Sequence, residues 1–255
     1  MTGITHNACP ICGGAFDIVA VSSRMRRIAR CRDCGHDFVQ NPPSAQALSA
    51  WFQGEAYFAD NYNRQGIFSL EADAQWEGWL RQRFARLARF LPEASLFSGV
   101  PRRIFEVGCL EGRVIAALAA LGHRVGGCDL NAMIVARGRK AFGIDIRAGT
   151  VEKCGFGRGQ YDLVLGYHVL QYVPCPQQAL AAWTRLLAPG GQIFLVFPID
   201  DSGFGDPIRQ QYFSPESLRA LAQTHCSAQR LSVIDNGRPG GPRFRIGIFV
   251  GSIET

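Results

Sequence analysis

The stretch Ile104–Arg113, IFEVGCLEGR, runs from apolar residues through an acid into glycine-punctuated sequence, and a second apolar run, VIAALAAL, follows it. That order predicts a strand, a tight turn and a helix. Gly108 lets the chain turn where a side chain would collide, and Gly112 lets the backbone pass close to a ligand at the start of the helix. A ligand there meets backbone amides rather than side chains. Glu106 falls at the carboxyl end of the strand, where open α/β sheets bind ligands, and its carboxylate is free to accept from a hydroxyl or ammonium group. About twenty residues beyond the turn, the run from Gly122 reads as a second short strand ending in Asp129, the spacing at which an acid holds ribose hydroxyls in nucleoside-binding α/β folds.

The rest of the chain supports one layered domain with an appendage. Trp76, Trp79, Leu80, Phe84, Leu87 and Leu91 recur at three and four, which predicts a long amphipathic helix from Leu70 to Leu91. Past Asp129, helix-like NAMIVARGRKAF, strand-like IDIRAG, strand-like DLVLGYH, helix-like QQALAAWTRLLA and strand-like QIFLVFP alternate. Such alternation means crossover connections and a parallel sheet. Ser214-Pro215-Glu216 starts a further helix, with its cap and a proline at the first helical position. Two final strands are expected near 229–234 and 244–251, joined by GRPGGPR.

Cys9-Pro-Ile-Cys12 and Cys31-Arg-Asp-Cys34 are two knuckles, each followed by glycine, at the spacing of a four-thiolate zinc ribbon. Each knuckle supplies two soft ligands from one tight turn. Four thiolates close the coordination sphere, so Cys9, Cys12, Cys31 and Cys34 predict structural Zn2+; His6 and His36 are the nearest substitutes. The segment is too poor in apolar residues to offset its ordering entropy unaided. Between the knuckles, Arg24, Arg26, Arg27 and Arg30 lie on a predicted hairpin without interleaved aromatics. The other five cysteines, Cys109, Cys128, Cys154, Cys175 and Cys226, stand singly in apolar surroundings, as small buried hydrophobes in a reducing compartment do.

Net charge is +6 over 255 residues, spread along the chain, which permits an anionic partner without specifying one. No apolar run approaches the roughly 20 residues that span a bilayer, and the first residues have neither a charged nor an apolar leader region, so a cytoplasmic protein is expected. Asn41-Pro42-Pro43-Ser44 is a stiff boundary. The expected division is a zinc ribbon over 1–43, a helical linker and lid segment over 44–100, and the main domain over 101–255.

With these residues in place, the chain resembles the class I S-adenosylmethionine-dependent methyltransferases. Four segments carry the resemblance in the family's order: EVGCLEGR, GCDLNAM, GTVEKCGF, and YDLVLGYHVLQYV with LLAPGGQIFLVFP. It implies an α/β fold, a Rossmann-like seven-stranded mostly parallel sheet with an antiparallel last strand, preceded here by the small zinc-ribbon domain. S-adenosylmethionine would be held by Glu106, Gly108, Cys109, Gly112, Asp129, Leu130, Glu152 and Tyr167, with Asp129 on the ribose hydroxyls and Glu152 beside the adenine. His168, after the fourth core strand, is the candidate catalytic base. The substrate side would draw on Tyr57 and Tyr62, with Phe58, from a lid, and on Gln171, Gln211 and Tyr212, with Gln210 beside them. Two departures stand out. Leu110 replaces the middle glycine of the family's turn, and Gln171-Tyr172 replaces a Glu-His pair frequent in relatives that methylate phenols, which removes a possible base or metal-binding pair. The implied activity is methylation of a small-molecule metabolite or biosynthetic intermediate, with oxygen favoured as the acceptor. An RNA methyltransferase using the basic ribbon is the alternative, disfavoured by the spread charge and the absence of an Asn-Pro-Pro-Tyr motif. A non-catalytic cofactor-binding interaction protein is the third reading.

Overall fold

A computed structural model describes residues 4–22, 25–54, 73–199, 208–235 and 245–254. Arg24, the lid positions Tyr57, Phe58 and Tyr62, and the GRPGGPR connection lie outside them. The core is a seven-stranded mixed sheet with a parallel centre and antiparallel last strands, and a separate four-stranded sheet forms near the N-terminus. The chain divides into two compact units, 1–45 with 156–255 and 46–155.

The unit formed by 46–155 contains the expected strand, turn and helix. Strand β4 (Arg103–Val107), helix α3 (Arg113–Ala120), strand β5 (Arg124–Asp129), helix α4 (Ala132–Phe142) and strand β6 (Asp145–Ala148) follow one another. β4 pairs with β5, and β5 with β6, all in parallel. Ile104, Phe105 and Ile146 are fully buried, so these strands are covered on both faces, as parallel strands flanked by helices must be. α4 starts where the Asn131 side chain accepts the Ile134 N–H at 3.0 Å, and it stops at Gly143 in the left-handed conformation. Helix α2 (Asp73–Phe90) fills most of the predicted span, and Trp76 and Leu87 are buried along it. The 3-10 turn at Pro92–Ala94 ends it.

In the other unit, β1 (Phe16–Val21), β2 (Arg27–Cys31) and β3 (Asp37–Val39) form an antiparallel meander. A short strand from late in the chain, β9 (Gln211–Tyr212), adds to its edge, with Asp37 opposite Tyr212 and Phe38 opposite Gln211. Ile28, Val39 and Tyr212 pack together there, with Ala20 against them. This pairing joins the cysteine-bearing segment to the C-terminal half within one unit. Strand β7 (Tyr161–Tyr167) runs parallel to β8 (Leu187–Ile199), and β10 (Ala228–Asp235) and β11 (Arg245–Ser252) complete an antiparallel edge in the order β10-β11-β8-β7. Ile193 to Phe197 of β8 are at most 1% exposed, and each such side chain contributes roughly 2 kcal/mol by leaving water. The LAPGG segment, expected as a turn before this strand, is its first part, where the β7 register shifts and Gly190 takes φ +73°. Helix α5 (Pro176–Thr184) makes the crossover between β7 and β8, and α6 (Pro215–Gln223) starts at a reciprocal cap between Ser214 and Ser217. Among the described residues, no helix is long and apolar enough to cross a membrane.

Candidate functional site

The glycine turn is tied to β5 by its backbone. The Gly108 and Cys109 N–H groups both donate to the Cys128 carbonyl, at 2.8 and 3.1 Å, and the Gly112 N–H donates to the Cys109 carbonyl at 2.8 Å. Gly108, Leu110 and Gly112 have φ of +66°, +53° and +80°. Leu110 therefore holds a left-handed backbone conformation that favours glycine, at a cost of roughly 1 kcal/mol. The Leu110 N–H donates to Asp129 Oδ2 at 3.0 Å, and the Asn131 N–H donates to Oδ1 at 2.9 Å. Turn and helix start thus aim one carboxylate. Burial raises the Asp129 pKa, and these two donors oppose the rise. At Gly112, a Cβ would come within 2.6 Å of Ile144 Cδ1.

Glu106 is a buried carboxyl near the end of β4. It is 3% exposed, and among the described residues its Oε2 has no hydrogen-bond partner, so it can accept from a donor that a polar ligand would bring. Desolvation pushes its carboxyl up to about 8; Arg83 acts to lower it, and Asp129 raises it further. A carboxyl with a folded pKa above its unfolded value favours the folded state below the unfolded pKa, and that contribution is lost as pH rises towards the folded one. Without ligand, the protein is therefore expected to lose on the order of 3 kcal/mol of stability between about pH 5 and 8, and Glu106→Gln to flatten that slope. Thermal denaturation across this range checks it; parallel slopes for the two proteins would remove Glu106 as the cause.

The other predicted cofactor positions distribute unevenly. Cys109 is buried in the turn and Leu130 follows Asp129 half-buried, whereas Glu152 is exposed on the turn after β6. Sequence reasoning missed two supports. Gly138, inside α4, lies so close to the turn that a Cβ would sit 2.1 Å from the Glu111 carbonyl oxygen. Arg113 pairs with the buried Glu111 carboxylate, and its guanidinium lies 4.3 Å from the Trp76 ring centroid. The helical spacing that places Gly138 against the turn is visible in sequence only once the turn's path is known.

In the unit containing β7, the Sγ atoms of Cys9, Cys12, Cys31 and Cys34 lie within 4.8 Å of one another. Cys12 is 3.4 Å from both Cys31 and Cys34, and Cys9 is 3.7 Å from Cys34. Thiolates about 2.3 Å from a tetrahedral zinc stand about 3.8 Å apart, so the four residues fit that ion. Gly13 and Gly35, both at positive φ, close the knuckles by donating to the Cys9 and Cys31 carbonyls. Neither histidine considered as a substitute belongs to the cluster. His36 is fully buried, and desolvation pushes its imidazole down to about 4. Its Nε2 lies 2.8 Å from Gln211 Oε1 and its Nδ1 3.3 Å from Ser217 Oγ. The remaining five cysteines are free thiols; Cys109, Cys128, Cys154 and Cys226 are buried and Cys175 is partly so. Two of the hairpin arginines bond within the protein: Arg30 to Asp37 through two bonds of 2.7 Å, and buried Arg26 to the Arg209 carbonyl.

At the carboxyl end of β7, Tyr167 is buried against Phe194 and His168 takes φ +56° while its N–H donates to Val196 at 2.7 Å. A non-glycine residue held there carries backbone strain, which clusters at functional positions. Gln171 and Tyr172 fall in the 3-10 turn Leu170–Tyr172. Of the polar residues expected on the substrate side, Gln211 uses its Nε2 on the Val173 and Pro174 carbonyls and its Oε1 on His36, and Tyr212 packs into the cluster with Ile28 and Val39. Both side chains are committed to the protein's own packing.

Residues 105–195 match a family described as "Methyltransferase domain". The chain is 32% identical over 100 residues to a ubiquinone biosynthesis O-methyltransferase of Pseudomonas aeruginosa, a match covering 37% of this chain and 43% of the relative. One from Nitrosococcus oceani is 32% identical over 99 residues, covering 36% and 42%. The chain thus spans less than half the length of these relatives. Among solved structures, a Burkholderia thailandensis 1,6-didemethyltoxoflavin-N1-methyltransferase, with 1,6-didemethyltoxoflavin and S-adenosylhomocysteine bound, superposes with TM-score 0.61 at 19% identity over 93% of this chain and 100% of that one. A Methanosarcina mazei S-adenosylmethionine-dependent methyltransferase gives TM-score 0.51 at 16% identity, over 60% and 93%. The seven-stranded sheet has the Rossmann-like methyltransferase fold, and residues 105–195 match the methyltransferase-domain family.

Proposed function

We propose that the chain is an S-adenosylmethionine-dependent methyltransferase that acts on a small-molecule metabolite or biosynthetic intermediate, with oxygen the favoured acceptor, and that the four-cysteine cluster holds a structural Zn2+. The observation that carries the reading is the buried, unpartnered Glu106 Oε2 beside a turn whose amides aim the Asp129 carboxylate. The similarity to O-methyltransferases in quinone biosynthesis supports oxygen as acceptor. The internal pairing of Arg30 with Asp37, and of Arg26 with the Arg209 carbonyl, counts against RNA.

Bound S-adenosylmethionine supplies a methyl group on a positively charged sulfur, activated for in-line displacement. Glu106 would accept from the cofactor's hydroxyl or ammonium groups, and Asp129 from its ribose hydroxyls while its own orientation stays fixed by Leu110 and Asn131. Cys109, Leu130, Glu152 and Tyr167 would complete the contacts. The protein's main contribution is alignment and exclusion of water. His168 would take the proton that an oxygen or nitrogen acceptor must lose.

Titration with S-adenosylhomocysteine tests the cofactor site. Asp129→Ala is expected to weaken binding by roughly 10- to 150-fold, equivalent to about 1.5 to 3 kcal/mol. No binding by the wild type, or unchanged binding by the variant, would sink the assignment. Transfer of labelled methyl into a fractionated cell extract tests the substrate class: label in small molecules is expected, and label in RNA would overturn that part.

A further inference from the structure

Buried polar atoms nearly always have partners, and among the described residues Gln171 and Gln210, joined through the backbone past β7, each leave an acceptor without one. Gln171 is 2% exposed and its Oε1 meets no donor. Gln210 is fully buried; its Nε2 donates to the Ile208 carbonyl, and its Oε1 also meets none. The Gln210 N–H donates to the Gln171 carbonyl at 2.8 Å, so both amides hang from one backbone junction. That junction follows the carboxyl end of β7, the end at which open α/β sheets take ligands. Gln211, the neighbour, has no such spare capacity, because its amide is bonded to His36, Val173 and Pro174.

Two acceptors awaiting donors define a ligand by what it must bring. A carboxylate or phosphate offers only lone pairs and leaves both amide oxygens without a donor. A cation is disfavoured by Arg209, next to Gln210 and 8% exposed, and by buried Arg26 bonded to the Arg209 carbonyl. What remains is a neutral O–H or N–H group. Resting on the methyltransferase reading above, we propose that Gln171 and Gln210 form an acceptor pair that selects a neutral hydrogen-bond-donating methyl acceptor, a phenol or an N–H heterocycle, and disfavours its methylated product. Transfer replaces the proton on the acceptor atom with the methyl group, the sulfonium becomes a neutral thioether, and the proton passes to a base or water. The product has lost a donor, so a buried amide oxygen is left unpaired, the situation in which a polar site rejects an analogue most strongly.

The test uses the full chain saturated with S-adenosylhomocysteine and four probes followed by ligand-observed NMR titration: catechol, guaiacol, veratrole and benzoate. They carry two donors, one, none, and an anion. Affinity is expected to fall about 10-fold or more from catechol to veratrole, with guaiacol between and benzoate weaker than catechol. Gln171→Leu and Gln210→Leu should each shrink the catechol-to-veratrole ratio with cofactor-product binding intact, and the thermal midpoint of Gln171→Leu should be unchanged or raised, since it removes an unpaired buried oxygen. Veratrole or benzoate binding as tightly as catechol, absence of catechol binding, or a ratio preserved in both variants overturns the proposal. The wild-type series stands alone if a variant does not fold. Failure of S-adenosylhomocysteine to bind would instead strike the methyltransferase reading, and the four probes alone would still decide the acceptor pair.

Discussion

Serine in place of Cys31 is expected to abolish metal retention and to lower the melting temperature by more than about 10 °C. Cys31 ends β2, is 2% exposed, and its N–H donates to the His36 carbonyl at 2.9 Å, so its thiol is fixed between the two knuckles. A four-thiolate zinc contributes on the order of 10 kcal/mol to the folding of isolated peptides. Here part of that is replaced by the packing of Ile28, Val39 and Tyr212, so a net loss of about 3 to 5 kcal/mol is expected, or roughly 10 to 15 °C in a chain of this size. The effect should travel, because β3 is the pairing partner of β9 and His36 bonds Gln211. Hydrogen exchange at 211–212 should therefore rise with loss of the ribbon. Elemental analysis and thermal denaturation make the measurement, a chelator added to the wild type should reproduce the shift, and Cys175→Ser, outside the cluster, should change neither readout. Wild-type protein without bound metal and with an unaltered midpoint in Cys31→Ser would remove zinc from the structure's stability.

Much of the fold is legible where local pattern and tertiary role coincide. The alternation after Asp129 sets out α4, β6, β7, α5 and β8 in order, and Ser214-Pro215 starts α6 because cap and fixed φ act within one turn. The spacing of Glu106, Gly108, Gly112 and Asp129 places the turn for the same reason. What escaped was non-local. Nothing in Gln211-Tyr212 announces that this dipeptide will complete the sheet of a segment more than 170 residues earlier, since two residues carry no periodicity. That pairing ties Gln211 to His36 and packs Tyr212 against Ile28 and Val39. His36 likewise looked like a spare ligand, because proximity in sequence to Cys34 says nothing about burial beside Gln211 and Ser217.

Gly138→Ala carries the other large effect, and its sign opposes local propensity. Alanine in a helix interior is favoured over glycine by about 1 kcal/mol, so a helix-only account predicts stabilisation. In the fold, the added Cβ would lie 2.1, 2.6 and 2.7 Å from the carbonyl oxygen, carbonyl carbon and Cα of Glu111. All three are backbone atoms, so no side-chain rotation relieves the overlap, and α4 and the turn must separate. The expected net loss is about 2 to 4 kcal/mol. Glu111 lies between Leu110, whose N–H holds Asp129, and Gly112, so moving it disturbs the carboxylate as well as the packing. S-adenosylhomocysteine binding should therefore weaken by 100-fold or more, beyond the loss predicted for Asp129→Ala at its lower bound. Ala136→Gly, two residues earlier on the exposed face, supplies the opposite control: about 1 kcal/mol less stable, with cofactor-product affinity unchanged. Equal affinity in Gly138→Ala and wild type would show that the turn does not depend on its seat against α4, and the cofactor site would then have to be held by β4 and β5 alone.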